Sequence, residues 1–264
     1  METPSLASLH VYPIKSCAGT SVDSWRADPL GLVHDRRWML TDEEGVFLSQ
    51  RELPRMSLIK PEIKDGHLSI TAPDMPPLEV PFEPGGSRIL ARVWGDIVEV
   101  APTGDEAGRW FSEFLRFPCR LVHLPEDSIR RVDPDFANPE DRVHLADGFP
   151  FLLISEASLG DLNSRLDEPL PMNRFRPNLV VRGVELFAED GWKNIRIGDM
   201  RFRVAKPCAR CAITTVNQTS GTKGKEPLTT LAAFRKVNGE VMFGQNLIHE
   251  SPGVLRVGGG VEVL

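Results

Sequence analysis

The stretch Lys206-Pro-Cys-Ala-Arg-Cys-Ala-Ile-Thr-Thr-Val216 holds two of the four cysteines of the chain, with an arginine between them. The residues before it, Ile195 to Val204, alternate between apolar and polar side chains as strand residues do. The residues after it predict a turn at Asn217 to Gly221. Because a cysteine pair at the end of a strand can hold a soft metal ion or carry out a redox reaction, the stretch indicates a functional site in a β-rich fold.

Strand patterns outnumber helix patterns along the rest of the sequence. Alternating or short apolar runs predict strands over residues 5–12, 21–26, 37–41, 57–63, 67–71, 88–94, 97–101, 119–124, 149–154, 178–182, 200–204, 241–248 and 254–264. Helical periodicity or a helix start signal predicts short helices over residues 104–115, 156–166 and 228–235. Because strands and helices do not alternate regularly, we expect a mainly β or α+β, barrel-like fold and not a doubly wound parallel sheet.

A long polar segment divides the sequence. Residues 125–147 are rich in Pro, Asp, Glu and Arg and have no apolar period, so we predict a loop or linker there. A chain of 264 residues is long enough for one large domain or two small ones. We predict two domains, residues 1–120 and residues 121–264, of which the first is β-barrel-like and the second carries the cysteine pair.

The composition is that of an ordinary globular protein with a modest negative charge. Hydrophobic residues make up 41% and charged residues 26%, and the net charge is −6. That charge argues against nucleic acid or an anionic membrane as the main partner, although local basic clusters can still bind a small anion. Four unevenly spaced cysteines do not form a disulfide framework, and the N-terminus shows no signal peptide. No apolar run reaches the roughly 18 residues of a membrane span, so we expect a cytoplasmic protein.

A Cys-x-x-Cys pair by itself leaves several interpretations open. A zinc site needs two more ligands, and the sequence offers no second Cys or His pair at short spacing. A redox dithiol is favoured at a helix N-terminus, whereas the residues from Ala212 to Val216 are strand-like. Two ordinary buried thiols are the plain structural alternative.

The neighbours of Cys211 favour a metal ligand over two buried thiols. Arg210 beside it favours the thiolate, which is the form that binds a metal. Thr214 and Thr215 add hydroxyl donors, and Gly221 lets a backbone approach closely.

Three further polar clusters stand at predicted strand ends. They are Lys15-Ser16, Asp35-Arg-Arg-Trp38 and Asn173-Arg-Phe-Arg-Pro-Asn178. Guanidinium and ammonium groups at strand ends suit an anionic ligand, above all a phosphate. Together with a candidate metal thiolate, they indicate a phosphorylated, metal-bearing cofactor. A hydrolase is the rival class of enzyme, but the chain has no G-x-S-x-G motif, and we expect His249 to pack at a strand end.

Six motifs occur in an order that resembles a known family. They are Val11-Tyr-Pro-Ile-Lys-Ser16, Asp35-Arg-Arg-Trp38, Phe175-Arg-Pro-Asn178, Cys208-Ala-Arg-Cys211 with Thr214-Thr-Val216, Lys225-Glu-Pro-Leu228 and Phe243-Gly-Gln245. The chain resembles the MOSC-domain molybdoenzymes, which include the mitochondrial amidoxime-reducing component and its bacterial homologues. The resemblance covers nearly the whole chain and implies an N-terminal β-barrel-type domain followed by a MOSC β-barrel domain with short helices.

The resemblance also implies a cofactor and the residues that hold it. The cofactor is molybdenum–molybdopterin, with Cys211 as the metal ligand and catalytic residue and with no ligand role for Cys208. The cofactor-binding positions that match are Lys15, Ser16, Arg36, Arg174, Arg176, Asn178, Ala209 through its backbone, Arg210 and Cys211. Pyridoxal phosphate binding is a further association at the level of the family.

The implied reaction is the reductive removal of an oxygen atom from nitrogen. A small N-hydroxylated substrate gives up its oxygen to the reduced molybdenum, and two electrons and protons then release water. The sequence shows no iron–sulfur cysteines and no membrane anchor, so we expect a separate electron donor of the ferredoxin, flavodoxin or cytochrome b5 type. One departure bears on the choice of substrate: the Asp-Pro pair of the family is Asn217-Gln218 here, which removes a charge beside the metal.

Two other functions fit the same residues. A molybdenum cofactor carrier would use the same binding positions without an electron partner. A sulfur carrier would hold a persulfide on a cysteine and would contain no metal.

Overall fold

Residues 3–83, 85 and 87–264 are described by a computed structural model of the chain. The strands of the first half are β1 (Ser5–Val11), β2 (Thr20–Val22), β3 (Ser24–Asp28), β4 (Gly31–Leu32), β5 (Trp38–Thr41), β6 (Lys60–Lys64), β7 (His67–Thr71), β8 (Leu78–Pro81), β9 (Ile89–Val93), β10 (Asp96–Pro102) and β11 (Arg120–His123). The helices of this half are a 3-10 helix (Pro54–Leu58) and helix α1 (Asp105–Leu115).

The second half repeats this preference for strands. Its strands are β12 (Phe151–Ser155), β13 (Leu179–Arg182), β14 (Asn194–Ile197), β15 (Met200–Ala209), β16 (Lys236–Val237), β17 (Glu240–His249), β18 (Gly253–Arg256) and β19 (Val261–Val263). Its helices are α2 (Glu156–Asn163), α3 (Leu228–Phe234) and three 3-10 turns, Met172–Arg174, Ala188–Gly191 and Ala212–Thr215.

One large sheet organises the second half. Its strand order is β19-β14-β15-β17-β12-β13-β1-β2, with β16 paired to β17 outside this row. Neighbouring strands run antiparallel except β12 and β13, which are parallel. Smaller sheets have the orders β5-β11-β10-β9, β18-β3-β4 and β6-β7-β8. The predicted mainly β or α+β fold with short helices is therefore confirmed.

The large sheet takes in the start of the chain. Strand β1 pairs with β13, from Ser5 opposite Arg182 to Leu9 opposite Leu179. Strand β3 likewise pairs with β18 near the end of the chain. Strands from the first 28 residues thus pair across the division predicted at residue 120, and that division stays a prediction. The pairing brings the loop after β1 next to the loop before β13.

Helix α1 covers a core that underlies this loop. Its buried side chains share one face of the helix and are Ala107, Trp110, Phe111, Phe114 and Leu115. Asp105 and Glu106 lie in the first turn, where the helix dipole favours acids, and Arg116 ends the helix with a left-handed φ of 54°. The apolar face packs in the same cluster as Ile14 and Trp38, which flank the Lys15 loop. The helix predicted over residues 104–115 is confirmed.

The structure corrects two local predictions around the cysteine pair. Strand β15 does not end at Val204 but continues through Cys208 to Ala209, with register shifts against β17. The strand-like residues after Cys211 instead form the 3-10 turn Ala212–Thr215. The turn is favoured because the hydroxyl groups of Thr214 and Thr215 donate to carbonyl oxygens three residues back, which competes with a strand conformation.

Two other segments also differ from the sequence patterns. The strand predicted over residues 21–26 is interrupted at Asp23, because β2 ends at Val22 and β3 begins at Ser24. Residues 125–147 contain no helix or named strand, as predicted, but they are not a free linker. Val132, Val143 and Leu145 are buried, and the backbone N–H of Leu145 donates to the carbonyl oxygen of Arg36 at 2.9 Å. This packing carries the end of the segment into the site described below.

None of the helices in residues 3–83, 85 and 87–264 combines the length and the apolar character that crossing a bilayer requires.

Strand β17 passes very close to β12 at Gly244. This glycine has a left-handed φ of 81°. A Cβ atom added to it would lie 2.6 Å from Ile154 Cγ1 and 2.7 Å from the carbonyl oxygen of Leu153. Only glycine meets both demands, which gives the Phe-Gly-Gln motif a structural reason.

We therefore predict that Gly244→Ala lowers the free energy of unfolding by about 3 kcal/mol or more, because backbone strain and atomic overlap add. Gly239→Ala is the matched control, since Gly239 has a φ of 88° and nothing lies within 4 Å of its added Cβ. The control should lose only about 1–2 kcal/mol. Urea unfolding of the two variants measures the difference, and equal losses would contradict the close approach of β17 to β12.

Candidate functional site

The nine residues that the sequence assigns to a cofactor line one cleft. The cleft has a cavity volume of about 130 Å³ and is open to solvent at one side. The nine residues come from both halves of the chain and are Lys15, Ser16, Arg36, Arg174, Arg176, Asn178, Ala209, Arg210 and Cys211. The cleft is also lined by Cys208, Thr214 and one acid, Asp147.

The strand pairing explains why distant residues meet. Lys15 and Ser16 follow β1, and Arg176 and Asn178 precede β13, its partner in the large sheet. Arg36 lies just before β5 and is tied to this place because its backbone N–H donates to the carbonyl oxygen of Tyr12 at 2.7 Å. The end of β15 brings residues 209–211 to the same cleft.

Three residues of the cleft have a left-handed backbone. The φ angles are 66° at Ser16, 48° at Arg36 and 56° at Arg176. Residues with a Cβ rarely adopt this conformation, which costs of order 1–2 kcal/mol each. Strained backbone of this kind clusters at functional sites, where the surrounding structure holds it in place.

Tyr12 contacts two of the cationic groups. The guanidinium carbons of Arg36 and Arg176 lie 4.2 Å and 4.4 Å from the centre of its ring. Burial raises the pKa of Tyr12 to about 12, so the hydroxyl stays protonated and donates to the carbonyl oxygen of Pro177 at 3.1 Å. The sequence prediction missed Tyr12 as part of the site. A signal was present, because this residue is the one tyrosine of the chain and stands inside the first motif.

Carbonyl and amide oxygens hold the arginine side chains in position. Arg36 donates to Asp35, to the side-chain oxygen of Asn178 at 3.0 Å and to the carbonyl oxygen of Arg176 at 3.1 Å. Arg174 donates to the carbonyl oxygens of Thr214 and Glu226, at 2.9 Å and 3.0 Å. Each guanidinium keeps further N–H groups for a ligand, since it has five donors.

Arg176 and Arg210 show how the cleft suits an anion. Burial lowers the pKa of Arg176 to about 10, which still leaves it charged at neutral pH. The Nε of Arg210 is buried and has no hydrogen-bond partner among the described residues. Five cationic side chains around one cleft, one of them with an orphaned donor, fit a phosphorylated ligand.

Lys15 is a buried cation with a pKa close to neutral. Its Nζ lies 2.5 Å from Asp147 Oδ1, and its side chain is 5% exposed. Burial lowers the pKa of the Lys15 ammonium to about 8, although Asp147 acts to raise it. Desolvation opposes ionisation of Asp147, but its carboxylate reaches solvent at the cleft mouth, and Lys15 and Arg51 hold its pKa below the ordinary value.

The two cysteines have different cationic neighbours, which corrects the sequence-based interpretation of Arg210. Its Nη1 donates to the sulfur of Cys208 at 2.9 Å, not to that of Cys211. The donor to Cys211 Sγ is Arg51 Nη2, at 3.3 Å. Sequence alone gave no reason to select Arg51, because it lies 160 residues from Cys211.

Several other residues that the sequence analysis placed near the site mainly stabilise the surrounding fold. The Thr214 and Thr215 hydroxyl groups stabilise their own turn, although Thr214 still lines the cleft. Gly221, with a φ of 68°, packs near the backbone of Arg55 and does not line the cleft. Arg37 donates away from the cleft, to Glu83 and to the carbonyl oxygen of Leu124. His249 is buried at the end of β17, which confirms its predicted place at a strand end.

Asn217 stabilises a turn, and Gln218 forms a pair of hydrogen bonds with another side-chain amide. The side-chain oxygen of Asn217 accepts from the backbone N–H groups of Thr219 and Ser220. Gln218 exchanges hydrogen bonds with the buried amide of Gln50, at 2.8 Å and 3.2 Å. Gln50 in turn donates to the carbonyl oxygen of Ser16 at 2.6 Å. The neutral pair thus connects the loop after the cysteines to the strained backbone of Ser16.

A zinc site finds no support in this geometry. Residues 3–83, 85 and 87–264 contain no cluster of three or more His, Cys, Asp or Glu side chains placed to hold a metal ion. The cysteine pair alone supplies at most two of the four ligands that structural zinc takes. A metal bound here through one thiolate would need the rest of its coordination from a cofactor.

Comparison with known proteins shows the family of the chain. The MOSC N-terminal beta barrel domain matches residues 3–118, and the MOSC domain matches residues 140–262. The chain belongs to the family of MOSC-domain proteins, as the six motifs predict. Mitochondrial amidoxime-reducing component 1 of Mus musculus is 37% identical to it, over 98% of this chain and 82% of the relative.

Two further relatives show the breadth of the family. Mitochondrial amidoxime-reducing component 1 of Homo sapiens is 35% identical, over 98% of this chain and 83% of the relative. Molybdenum cofactor sulfurase of Arabidopsis thaliana is 35% identical over 93% of this chain, but the match spans only 33% of that protein.

The position of Lys15 generates a prediction about pH. Its ammonium is charged below its pKa of about 8 and loses its charge above it. We expect the affinity of the cofactor-free protein for sulfate, which does not itself titrate in this range, to fall about tenfold between about pH 6.5 and about pH 9. Isothermal titration calorimetry measures the affinity at each pH.

Lys15→Met should bind sulfate weakly at both pH values, because the titrating cation is gone. Lys236→Met, which removes an exposed cation on β16, is the matched control and should keep the full pH dependence. An undiminished pH step in Lys15→Met would contradict the role given to the Lys15 ammonium.

Proposed function

We propose that this protein is a molybdenum-cofactor-dependent oxidoreductase that reduces small N-hydroxylated compounds. The observation that carries the proposal is the convergence of five cationic side chains and a cysteine thiol on one cleft, in a chain whose net charge is −6. Such a cleft suits a phosphorylated cofactor that carries a soft metal. The similarity to the amidoxime-reducing components supports the same choice.

The residues divide between the two ends of such a cofactor. Lys15, Ser16 and Arg36 from the first half, with Arg174, Arg176 and Arg210 from the second, supply donors to its phosphate and pterin groups. Asn178 holds Arg36, and Ala209 offers its backbone. Cys211, the catalytic residue in this proposal, supplies the thiolate ligand to molybdenum. When bound, the cofactor supplies two-electron transfer of an oxygen atom from nitrogen.

The chain's own part in the reaction is binding and orientation. Asn217 and Gln218 place no charge in the loop that follows Cys211, so we expect the choice of N-hydroxylated substrate to differ from that of family members with Asp-Pro at these positions. We assign no protein group as general acid. The electrons come from a separate donor of the ferredoxin, flavodoxin or cytochrome b5 type, and we propose a cytoplasmic location.

A second candidate function is a carrier of the cofactor or of sulfur. Two observations favour it: the similarity to a molybdenum cofactor sulfurase, and the second thiol, Cys208, in the same cleft. Arg210 donates to Cys208 and would suit a negatively charged persulfide there.

The decisive variants are Cys211→Ala and its matched control Cys208→Ala. Protein from a molybdenum-replete host that makes the cofactor should contain about one molybdenum and one pterin per chain. Cys211→Ala should lose most of its metal, because the thiolate bond is gone, whereas Cys208→Ala should keep it. Metal analysis and pterin fluorescence give both quantities.

Activity then separates the candidate functions. With an artificial electron donor, the loaded wild type should reduce a hydroxylamine-type substrate, and Cys211→Ala should lose at least about 100-fold in rate. A loaded protein that has no reductase activity but passes its cofactor to an apoenzyme would be a carrier. Wild type without molybdenum and pterin, but with sulfane sulfur on Cys208, would sink the oxidoreductase proposal in favour of sulfur transfer.

A further inference from the structure

Arg51 is not among the proposed cofactor-binding residues, but it contacts the proposed metal ligand, Cys211. It follows Gln50 in the first half of the chain, and its Nη2 donates to the sulfur of Cys211 at 3.3 Å. In the part of the chain that the structure describes, Arg51 is the residue that donates a hydrogen bond to Cys211 Sγ. The same nitrogen lies 3.9 Å from Asp147 Oδ2, so the guanidinium is closer to the thiol than to the nearest carboxylate.

The Arg51 side chain is fixed on several sides. Its guanidinium carbon lies 4.5 Å from the centre of the Trp94 ring, and its Nη1 donates to the Ser49 hydroxyl at 3.1 Å. Trp94 in turn donates from Nε1 to Asp147 at 3.2 Å. A planar guanidinium stacked on an aromatic ring loses little further freedom when it forms a hydrogen bond.

The backbone of Arg51 is tied to the loop that follows Cys211. Lys223 donates from Nζ to the carbonyl oxygen of Arg51. The preceding residue, Gln50, is paired with Gln218 in the same loop. The segment from Ser49 to Arg51 is therefore attached to the cysteine loop at two points, which fixes Arg51 relative to Cys211.

We propose that Arg51 is a positioning residue that acts on the bound metal through Cys211. This inference rests on the proposed function. An N–H group directed at a thiolate ligand withdraws electron density from sulfur, which favours the reduced metal and raises its reduction potential. The guanidinium charge acts in the same direction. Arg51 thus sets how readily the site accepts electrons from its donor, without itself touching the cofactor.

The test compares Arg51→Met and Arg51→Lys with wild type, all loaded with molybdenum. Arg51→Met keeps an extended side chain but removes the charge and every N–H donor. Arg51→Lys keeps the charge and one compact donor. Arg165→Met is the matched control, because Arg165 also stacks on an aromatic ring, Phe234 at 4.2 Å, but is exposed to solvent just after the end of α2.

The readout is the midpoint potential of the molybdenum, followed by electron paramagnetic resonance during a redox titration. We expect the potential of Arg51→Met to be lower than that of wild type, Arg51→Lys to lie between them, and Arg165→Met to equal wild type. Pterin content should be unchanged in all variants, since Arg51 is not among the residues that line the cleft.

Equal potentials in Arg51→Met and wild type, at equal metal content, would overturn the proposal. If Arg51→Met does not fold, Arg51→Lys decides alone, because a potential equal to that of wild type would then contradict a role for the N–H fork. Wild type that binds no molybdenum would instead refute the proposed function, so the two failures are distinguishable.

Discussion

The antiparallel pairing of β1 with β13 joins the beginning of the chain to the middle of the large sheet. Because the two strands run in opposite directions, the loop that leaves β1 and the loop that enters β13 lie at the same end of the strand pair. That pairing brings Lys15 and Arg176 to the same cleft. Arg36 also lines the cleft, because its backbone N–H donates to the carbonyl oxygen of Tyr12. A register slip of one residue would turn the side chains of β1 to the opposite face of the sheet and take its buried residues out of the core. The assembly of the cleft depends on this register.

A cluster of buried cations is costly unless each has partners, and the fold supplies them in three ways. Backbone carbonyls accept from Arg174 and Arg210, the Tyr12 ring contacts both Arg36 and Arg176, and carboxylates pair with Arg36 and Lys15. The compensation is incomplete, because one buried donor of Arg210 lacks a partner and three residues keep a strained backbone. An anionic ligand would supply the missing charge, so the residual cost favours ligand binding over a purely structural role.

The sequence allowed the β-rich fold, most element positions and the nine candidate cofactor residues of the cleft to be predicted. Alternation and turn residues indicate strands because they act locally, and four of the six motifs contribute residues that line the cleft. Contacts between distant segments were not predictable. Arg51 and Asp147 carry no local signal. Arg210 was linked to Cys211 because the two residues are adjacent in sequence, whereas its side chain donates to Cys208. The turn after Cys211 was missed because its threonine hydroxyls outweigh strand preference.

The proposed molybdenum site is one cleft, built from both halves of the chain, with Cys211 as the metal ligand. The sharpest test is a crystal structure of protein from a molybdenum-replete host, with data collected above and below the molybdenum absorption edge. We expect an anomalous peak at bonding distance from Cys211 Sγ and phosphate density among Lys15, Arg36 and Arg176. Molybdenum bound elsewhere in the crystal, with that cleft free of it, would refute this assignment.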